Sequence, residues 1–205
     1  YNQGAGSNFA NNAGGTIAID NSTGVALGNY EGGSFSNASA IAIGDNASTG
    51  LYGLVNQDAN STFNNDMGGQ ISIDNTTSSG IYNALGGTFT NAANINVGGT
   101  AGAGIAGLSN SAIFGNNMGG TISISNTDSY GLLNDNGGTF TNEADINIGA
   151  TDSVGRFGLA NSNGAAFNNN TGGMIAIGRS TDTGLSNANG TFNNAGTYTK
   201  SAGAD

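Results

Sequence analysis

The chain contains no cysteine, histidine, proline or tryptophan, and only 8% of its 205 residues are charged. Without thiolate or imidazole groups it lacks the usual ligands of zinc, haem and iron–sulfur clusters, so we expect no metal and no other cofactor. The same absences exclude a cysteine nucleophile and the histidine base of a catalytic triad. A disulfide framework is excluded as well.

Basic side chains are also scarce. Three Lys and Arg stand against thirteen Asp and Glu, which gives a net charge of -10. So few cations cannot neutralise a run of phosphates, which argues against nucleic acid as a partner. The apolar runs are all shorter than the roughly 18 residues that a membrane span needs, so we expect no membrane insertion.

Glycine and asparagine dominate what is present, a bias that is also found in disordered chains. Disorder predicts apolar residues without register, whereas eight of the nine phenylalanines recur at intervals of 25 to 28 residues, each with Asn two positions later. The repeat therefore indicates a folded array. Its predicted core and ladder residues are Phe9, Phe35, Phe63, Phe89, Phe114, Phe140, Phe167 and Phe192, with Asn11, Asn37, Asn65, Asn91, Asn116, Asn142, Asn169 and Asn194.

Two further elements complete each unit. A pair of β-branched residues spaced by two, such as Ile71 and Ile73, follows the Phe-x-Asn motif, and an apolar-x-Asn pair such as Ile81 and Asn83 comes next. This alternation is typical of short strands with one buried face, so each unit carries three strands separated by turns. The spacings between the elements alternate along the chain, so odd and even units differ.

A unit of three strands cannot bury its own apolar face, whereas stacked units can. We therefore predict an all-β fold, a parallel β-solenoid of about eight coils that forms a single domain over residues 1–205. Parallel crossovers are almost always right-handed, so a right-handed winding is expected. The chain is predicted to be a segment of a longer array or a filament subunit, whose partners are further coils or copies of itself stacked end to end.

The asparagine of Phe-x-Asn has the strand parity of phenylalanine and is predicted to form a buried ladder with its copies. For the asparagine of the apolar-x-Asn pair, a ladder and a surface role are equally open. Glycines before the third strand are expected to occupy corners with positive φ. These glycines are Gly24, Gly50, Gly80, Gly104, Gly131, Gly155 and Gly184.

The strings GGTFTNAANINVGG (86–99), GGTFTNEADINIG (137–149) and SSGIYNALGGTFTN (78–91) resemble the β-helical passenger regions of bacterial autotransporters and of filamentous-haemagglutinin-like secreted adhesins. The resemblance covers essentially the whole chain. It implies an extracellular or cell-surface bacterial protein that acts as a fibre, stalk or adhesin scaffold. Host or matrix surface ligands would then contact outward turns, foremost the longer turns of the even units.

Two alternative functions stay open. A secreted β-helix can bind or cleave polysaccharides with clustered carboxylates. The acids here fall mostly in turns or at outward positions, and Arg156, Arg179 and Lys200 are far from one another on the repeat map, so we expect no enzyme. Outward threonine pairs on two units suggest an ice-binding solenoid, although neighbouring units interrupt the array. Phe157, the one phenylalanine out of register, is expected in a long turn as a surface contact or a turn plug.

Overall fold

The computed structural model describes residues 1–201 and contains no helix in that range. Its strands form three parallel sheets of eight strands each, and every coil contributes one strand to each sheet. We name the sheets after their main inward residue as the Leu sheet, the Phe sheet and the Ile sheet. The prediction of an all-β parallel solenoid with eight coils is confirmed.

The Leu sheet consists of β1 (Asn2–Gln3), β4 (Val25–Tyr30), β7 (Tyr52–Gln57), β10 (Ser79–Ala84), β13 (Ala106–Asn110), β16 (Tyr130–Asn134), β19 (Phe157–Ser162) and β22 (Thr183–Ala188). The Phe sheet consists of β2 (Asn8–Asn11), β5 (Ser34–Asn37), β8 (Thr62–Asn65), β11 (Thr88–Asn91), β14 (Ile113–Asn116), β17 (Thr139–Asn142), β20 (Ala166–Asn169) and β23 (Thr191–Asn194). The Ile sheet consists of β3 (Thr16–Ile19), β6 (Ala40–Ile43), β9 (Gln70–Ile73), β12 (Asn94–Val97), β15 (Thr121–Ile124), β18 (Asp145–Ile148), β21 (Met174–Ile177) and β24 (Thr197–Lys200). Coil 1 contains β1 to β3, and each later coil contains the next three strands.

Neighbouring coils are in register, so that equivalent residues of the repeat pair with each other. Phe63 is paired with Phe35 on one side and with Phe89 on the other, and Ile95 is paired with Ile71. The paired apolar side chains point inward and form one core along the axis. Seven steps at the usual spacing of about 4.8 Å between strands give the solenoid a length of roughly 34 Å.

The turns show the predicted alternation between odd and even coils. From the Phe sheet to the Ile sheet an odd coil uses four residues, as at 66–69, whereas an even coil uses two, as at 92–93. From the Ile sheet to the Leu sheet an odd coil uses five, as at 74–78, and an even coil uses eight. The long turns of the even coils thus lie at one corner of every second coil, and they are 44–51, 98–105 and 149–156.

The expectation of positive φ at the glycines before the third strand is wrong for most of the set. Only Gly50 and Gly104, near the ends of long turns, have positive φ, at 66° and 68°. Gly80, Gly131 and Gly184 lie within strands of the Leu sheet and are not in the left-handed region. Their role must therefore come from packing rather than from backbone conformation.

The packing role is visible in β13. A Cβ at Gly107 would overlap Cγ2 of Ile124 in the Ile sheet and would lie 3.0 Å from the Gly131 carbonyl oxygen in the next coil. The same overlap with an inward Ile or Val recurs at Gly80 and Gly158. These glycines precede the inward leucine or isoleucine and leave room for the side chain that crosses the coil from the Ile sheet.

We expect Gly107→Ala to lower the free energy of unfolding by about 1–3 kcal/mol, because the added methyl group overpacks the core against Ile124. Gly24→Ala is the matched control, since nothing lies within 4 Å of a Cβ there. That control should be neutral or stabilising by less than about 1 kcal/mol. Denaturant unfolding followed by circular dichroism measures both, and equal losses in the two variants would contradict the packing role.

Candidate functional site

The eight predicted phenylalanines form one continuous stack. Neighbouring rings from Phe9 to Phe192 have centroids 4.6 to 5.4 Å apart and interplanar angles of 3° to 18°. Phe114 in the middle is fully buried, whereas Phe9 in coil 1 is 45% exposed. Ring separations close to the spacing of the strands show that the register of the Phe sheet sets the stacking.

The asparagines of Phe-x-Asn form the predicted ladder. Each Nδ2 donates to Oδ1 of the equivalent asparagine in the next coil, and the seven links from Asn11 to Asn194 measure 2.7 to 2.9 Å. Nδ2 also donates to a backbone carbonyl, as from Asn91 to Ala93 at 2.9 Å. A buried amide that is satisfied in this way stabilises the stack rather than destabilising it. The prediction of an asparagine ladder is confirmed.

A second ladder joins the asparagines of the apolar-x-Asn pairs. Asn2, which belongs to no such pair, extends the ladder by one member, so that it has seven links from Asn2 to Asn187 of 2.7 to 2.9 Å. Its members in coils 2 to 7 are buried. Nδ2 of Asn83 also donates to the carbonyl of Ile113 in the Phe sheet of the next coil, at 2.8 Å. This set is therefore a ladder and not a surface feature, and it ties two sheets together at their shared corner.

Both ladders have the same direction. In every link the amide nitrogen of the earlier coil donates to the oxygen of the later coil. The solenoid consequently has a chemical polarity along its axis. Its coil 1 edge presents amide oxygens as acceptors, and its coil 8 edge presents amide nitrogens as donors.

Carboxylates hold two of the three long turns, 44–51 and 98–105, in place. Asp74 is 2% exposed and accepts hydrogen bonds from the backbone N–H groups of Thr100 and Ala101 and from the Thr100 hydroxyl, at 3.0 to 3.1 Å. Asp20, two coils earlier, accepts from the side chain and backbone of Asn46, and these bonds hold the pKa of its carboxyl below the usual value. These acids therefore have a structural role in the turns.

Glu143 and Asp145 lie two residues apart in the sequence and are not joined by a third acid. Asp145 lies in β18 between Thr121 and Met174 of the neighbouring coils, and Glu143 accepts from Nδ2 of Asn170. Within residues 1–201, no three acidic side chains are grouped so that they could hold a metal ion. Glu143 thus lies exposed in a turn, and Asp145 is a half-buried strand residue.

Aromatic residues outside the core columns share one surface that sequence reasoning missed. Six rings lie on the outer side of the Leu sheet and pair between adjacent coils, with centroids 5.2 to 5.6 Å apart. We call this surface the aromatic face, and its pairs are Tyr1 with Tyr30, Tyr52 with Tyr82, and Tyr130 with Phe157. All but the exposed Tyr1 are half-buried, so their rings are fixed against the sheet and still reach solvent.

Two shallow grooves run beside these rings. The groove in coils 1 to 3 has a volume of about 310 Å³ and is lined by Tyr1, Gln3, Tyr30, Glu31, Gln57 and Asp58. The groove in coils 6 to 8 has a volume of about 250 Å³ and includes Tyr130, Leu133, Asp135, Phe157 and Ser162 in its lining. Each groove thus combines a pair of rings with at least one carboxylate, and Ser162 donates to Asp135 at 3.0 Å.

The expectation that Phe157 lies in a long turn is wrong. It is the first residue of β19, its ring stacks on Tyr130, and the Arg156 guanidinium lies 5.1 Å from its ring centroid. Arg156 also forms an exposed ion pair with Asp182, at 3.7 Å. Phe157 therefore lies on the outer side of the Leu sheet and does not plug a turn.

No protein-family model, curated protein or solved structure matches the chain. Residues 1–201 also include no helix long and apolar enough to cross a membrane.

Asn116→Asp tests the Phe-x-Asn ladder. The new carboxylate would face Oδ1 of Asn142 and the carbonyl of Asp145, which now accept from Nδ2 of Asn116. One carboxylate oxygen would keep the hydrogen bond from Nδ2 of Asn91, whereas the other would face these two acceptors with no donor. Burial and the missing donor raise the pKa of the introduced carboxyl, so its protonated form is favoured in the folded state. The variant should approach wild-type stability below the unfolded pKa of about 3.9 and lose about 3 kcal/mol by pH 7.

Denaturant midpoints at pH 3 and pH 7 measure this dependence. Asn96→Asp, at an exposed outward position of β12, is the matched control and should show a small change at both pH values. A loss at position 116 that does not grow with pH would contradict a donor role for the amide.

Tyr30 generates a pH prediction on the aromatic face. Burial, with the nearby Tyr1 and Asp58 adding to it, raises the pKa of Tyr30 to about 12 from its ordinary value of 10.0. The phenol is thus favoured over the phenolate in the folded state, so this contribution to stability is complete below pH 10 and is lost as the pH rises toward 12. An ultraviolet titration should show a component near pH 12 that Tyr30→Phe removes and Tyr52→Phe leaves in place.

Proposed function

We propose that the chain is a structural β-solenoid, located outside a bacterial cell or on its surface, that serves as a fibre, stalk or adhesin scaffold and assembles end to end. The observation that carries the proposal is that the phenylalanine stack and both asparagine ladders run through all eight coils without a break. The phenylalanine stack and the two asparagine ladders therefore hold each coil on the next. An extended scaffold requires such contacts between neighbouring coils.

The composition supports a location outside the cell. The chain has no cysteine, and its surface positions are filled by small and amide side chains rather than by charges. The resemblance of its Gly-Gly-Thr-Phe-Thr-Asn strings to secreted β-helical regions points to the same location. A chain without cysteine folds without disulfides, which suits it to export in the unfolded state.

The polarity of the ladders supports head-to-tail assembly. Asn11 at the coil 1 edge offers an amide oxygen, and Asn194 at the coil 8 edge carries an amide nitrogen, so the two edges are complementary. A head-to-head junction would bring two coil 1 edges together, and their amide oxygens would face each other without a donor. A head-to-tail junction would also place Phe9 of one copy on Phe192 of the next and pair the open strand edges.

Electron microscopy and sedimentation over a range of concentrations test this assembly. Wild-type protein should form rods that lengthen with concentration, because each added copy buries an open edge of three strands. Phe9→Lys should stop elongation by placing a charge in the junction, whereas Ile113→Lys should not, since Ile113 is as exposed but faces outward in coil 5. Wild-type protein that stays monomeric at every concentration would refute end-to-end assembly.

A further inference from the structure

The aromatic residues of this chain divide cleanly between two environments. Eight phenylalanines and Tyr198 occupy inward columns, with Tyr198 paired with Ile175 at the end of the Ile column. The six remaining aromatic residues all lie on the aromatic face. The outward positions of the Phe and Ile sheets hold none, and residues such as Thr88, Ser123 and Asn147 fill them instead.

Strand pairing in the Leu sheet does not require rings at these outward positions. Tyr52, for example, is in register with Ser79, which is followed along the same column by Ala106 and Tyr130. The backbone pairing of this column is thus formed with small residues as well as with large ones. Exposed apolar groups that gather on one surface usually mark a place where something binds.

From this surface we propose that the aromatic face binds a neutral polysaccharide, whose sugar rings lie against the paired aromatic rings while its hydroxyl groups donate to Glu31, Asp58 and Asp135. A pyranose ring has an apolar face of C–H groups and a rim of hydroxyls. It therefore needs a flat apolar partner with polar groups at its edge, and both grooves combine these two features.

The shape of the face favours a linear polymer. Ring pairs lie on coils 1–2, 3–4 and 6–7, with Ala106 and Ser109 between the last two pairs. At about 4.8 Å per coil, their centres are roughly 10 and 14 Å apart along the axis. The pairs are also displaced across the strands, since Tyr30 ends β4 whereas Tyr130 and Phe157 begin β16 and β19. A polysaccharide that crosses the sheet obliquely can contact all three pairs, whereas a protein interface needs one continuous area of about 800 Å² on each partner.

The negative charge of the chain and of the two grooves favours a neutral polysaccharide over an anionic one. The chain has a net charge of -10, and the carboxylates of Glu31, Asp58 and Asp135 lie beside the rings. An anionic polysaccharide would be repelled by these groups, whereas the hydroxyls of a neutral one can donate to them. Arg156, over the ring of Phe157, adds a donor at the far end of the face.

The wild-type protein allows a direct measurement, because it lacks tryptophan and five of its six tyrosines lie on the aromatic face. Tyrosine emission is recorded during titration with dextran, a mixed-linkage β-glucan and galactomannan, and migration is recorded in native gels cast with each polymer. We expect a saturable change in emission and retarded migration with at least one neutral polymer. Alginate, an anionic polysaccharide, should cause neither effect.

Variants locate the binding surface. The double variant Tyr52→Ser with Tyr82→Ser and the single variant Tyr130→Ser should both bind more weakly. Each should need at least ten times more polymer than the wild type for the same retardation. Ile113→Ser removes an exposed apolar side chain from the Phe sheet and should retain wild-type binding. Phe157→Tyr keeps a ring in place and should also retain it. Unchanged melting temperatures establish that a loss comes from the surface and not from unfolding.

Three results would overturn the proposal. The first is an absence of both emission change and retardation with all three neutral polymers. The second is retardation that persists in the aromatic variants, which would place binding elsewhere. The third is a wild-type lateral dimer that the aromatic variants dissociate while polysaccharide has no effect, which would make the face a contact between copies of the chain.

Discussion

In-register parallel pairing is the constraint on which the rest of this structure depends. Each strand forms its backbone hydrogen bonds with the equivalent strands of the neighbouring coils, so an inward side chain packs mainly on its own copies. An inward polar group is then stable only if it can bond to an identical group. A carboxylate or an ammonium group fails this test, because it repels its copy. The carboxamide carries both a donor and an acceptor, which explains why asparagine alone forms the long inward polar columns.

Self-complementarity also fixes the register. Phenylalanine and asparagine share a parity in the Phe sheet, so a shift of one residue would turn Phe89 and Asn91 outward and bring Thr88 and Thr90 into the core. A shift of two would place rings over amides and break both the stack and the ladder. The apolar and polar columns therefore both disfavour a shifted register, and each coil fixes the register of the next.

The sequence predicted the interior well because stacking repeats the inward residues at a fixed interval, as with Phe63 and Phe89. It failed where a residue's role depends on a contact across the coil, which periodicity does not record. Gly80 is required by the side chain of Val97 in another sheet, and no spacing along the chain reveals this distance. The aromatic face was missed for a related reason: Tyr52 and Tyr82 lie in different columns and meet only when two coils are stacked.

Inward and outward positions of the solenoid differ in how freely their residues can vary, and this difference determines where a binding function can arise. Inward columns tolerate little variation, because any change is faced by unchanged copies above and below. Outward positions are free of that demand, and the column that contains Ala106 and Tyr130 shows that the sheet accepts either a methyl group or a ring. Backbone pairing therefore does not dictate where the rings of the Leu sheet lie. The rings gather on one of the three sheets and two of their pairs lie beside carboxylates, and the polysaccharide binding that we propose accounts for both observations.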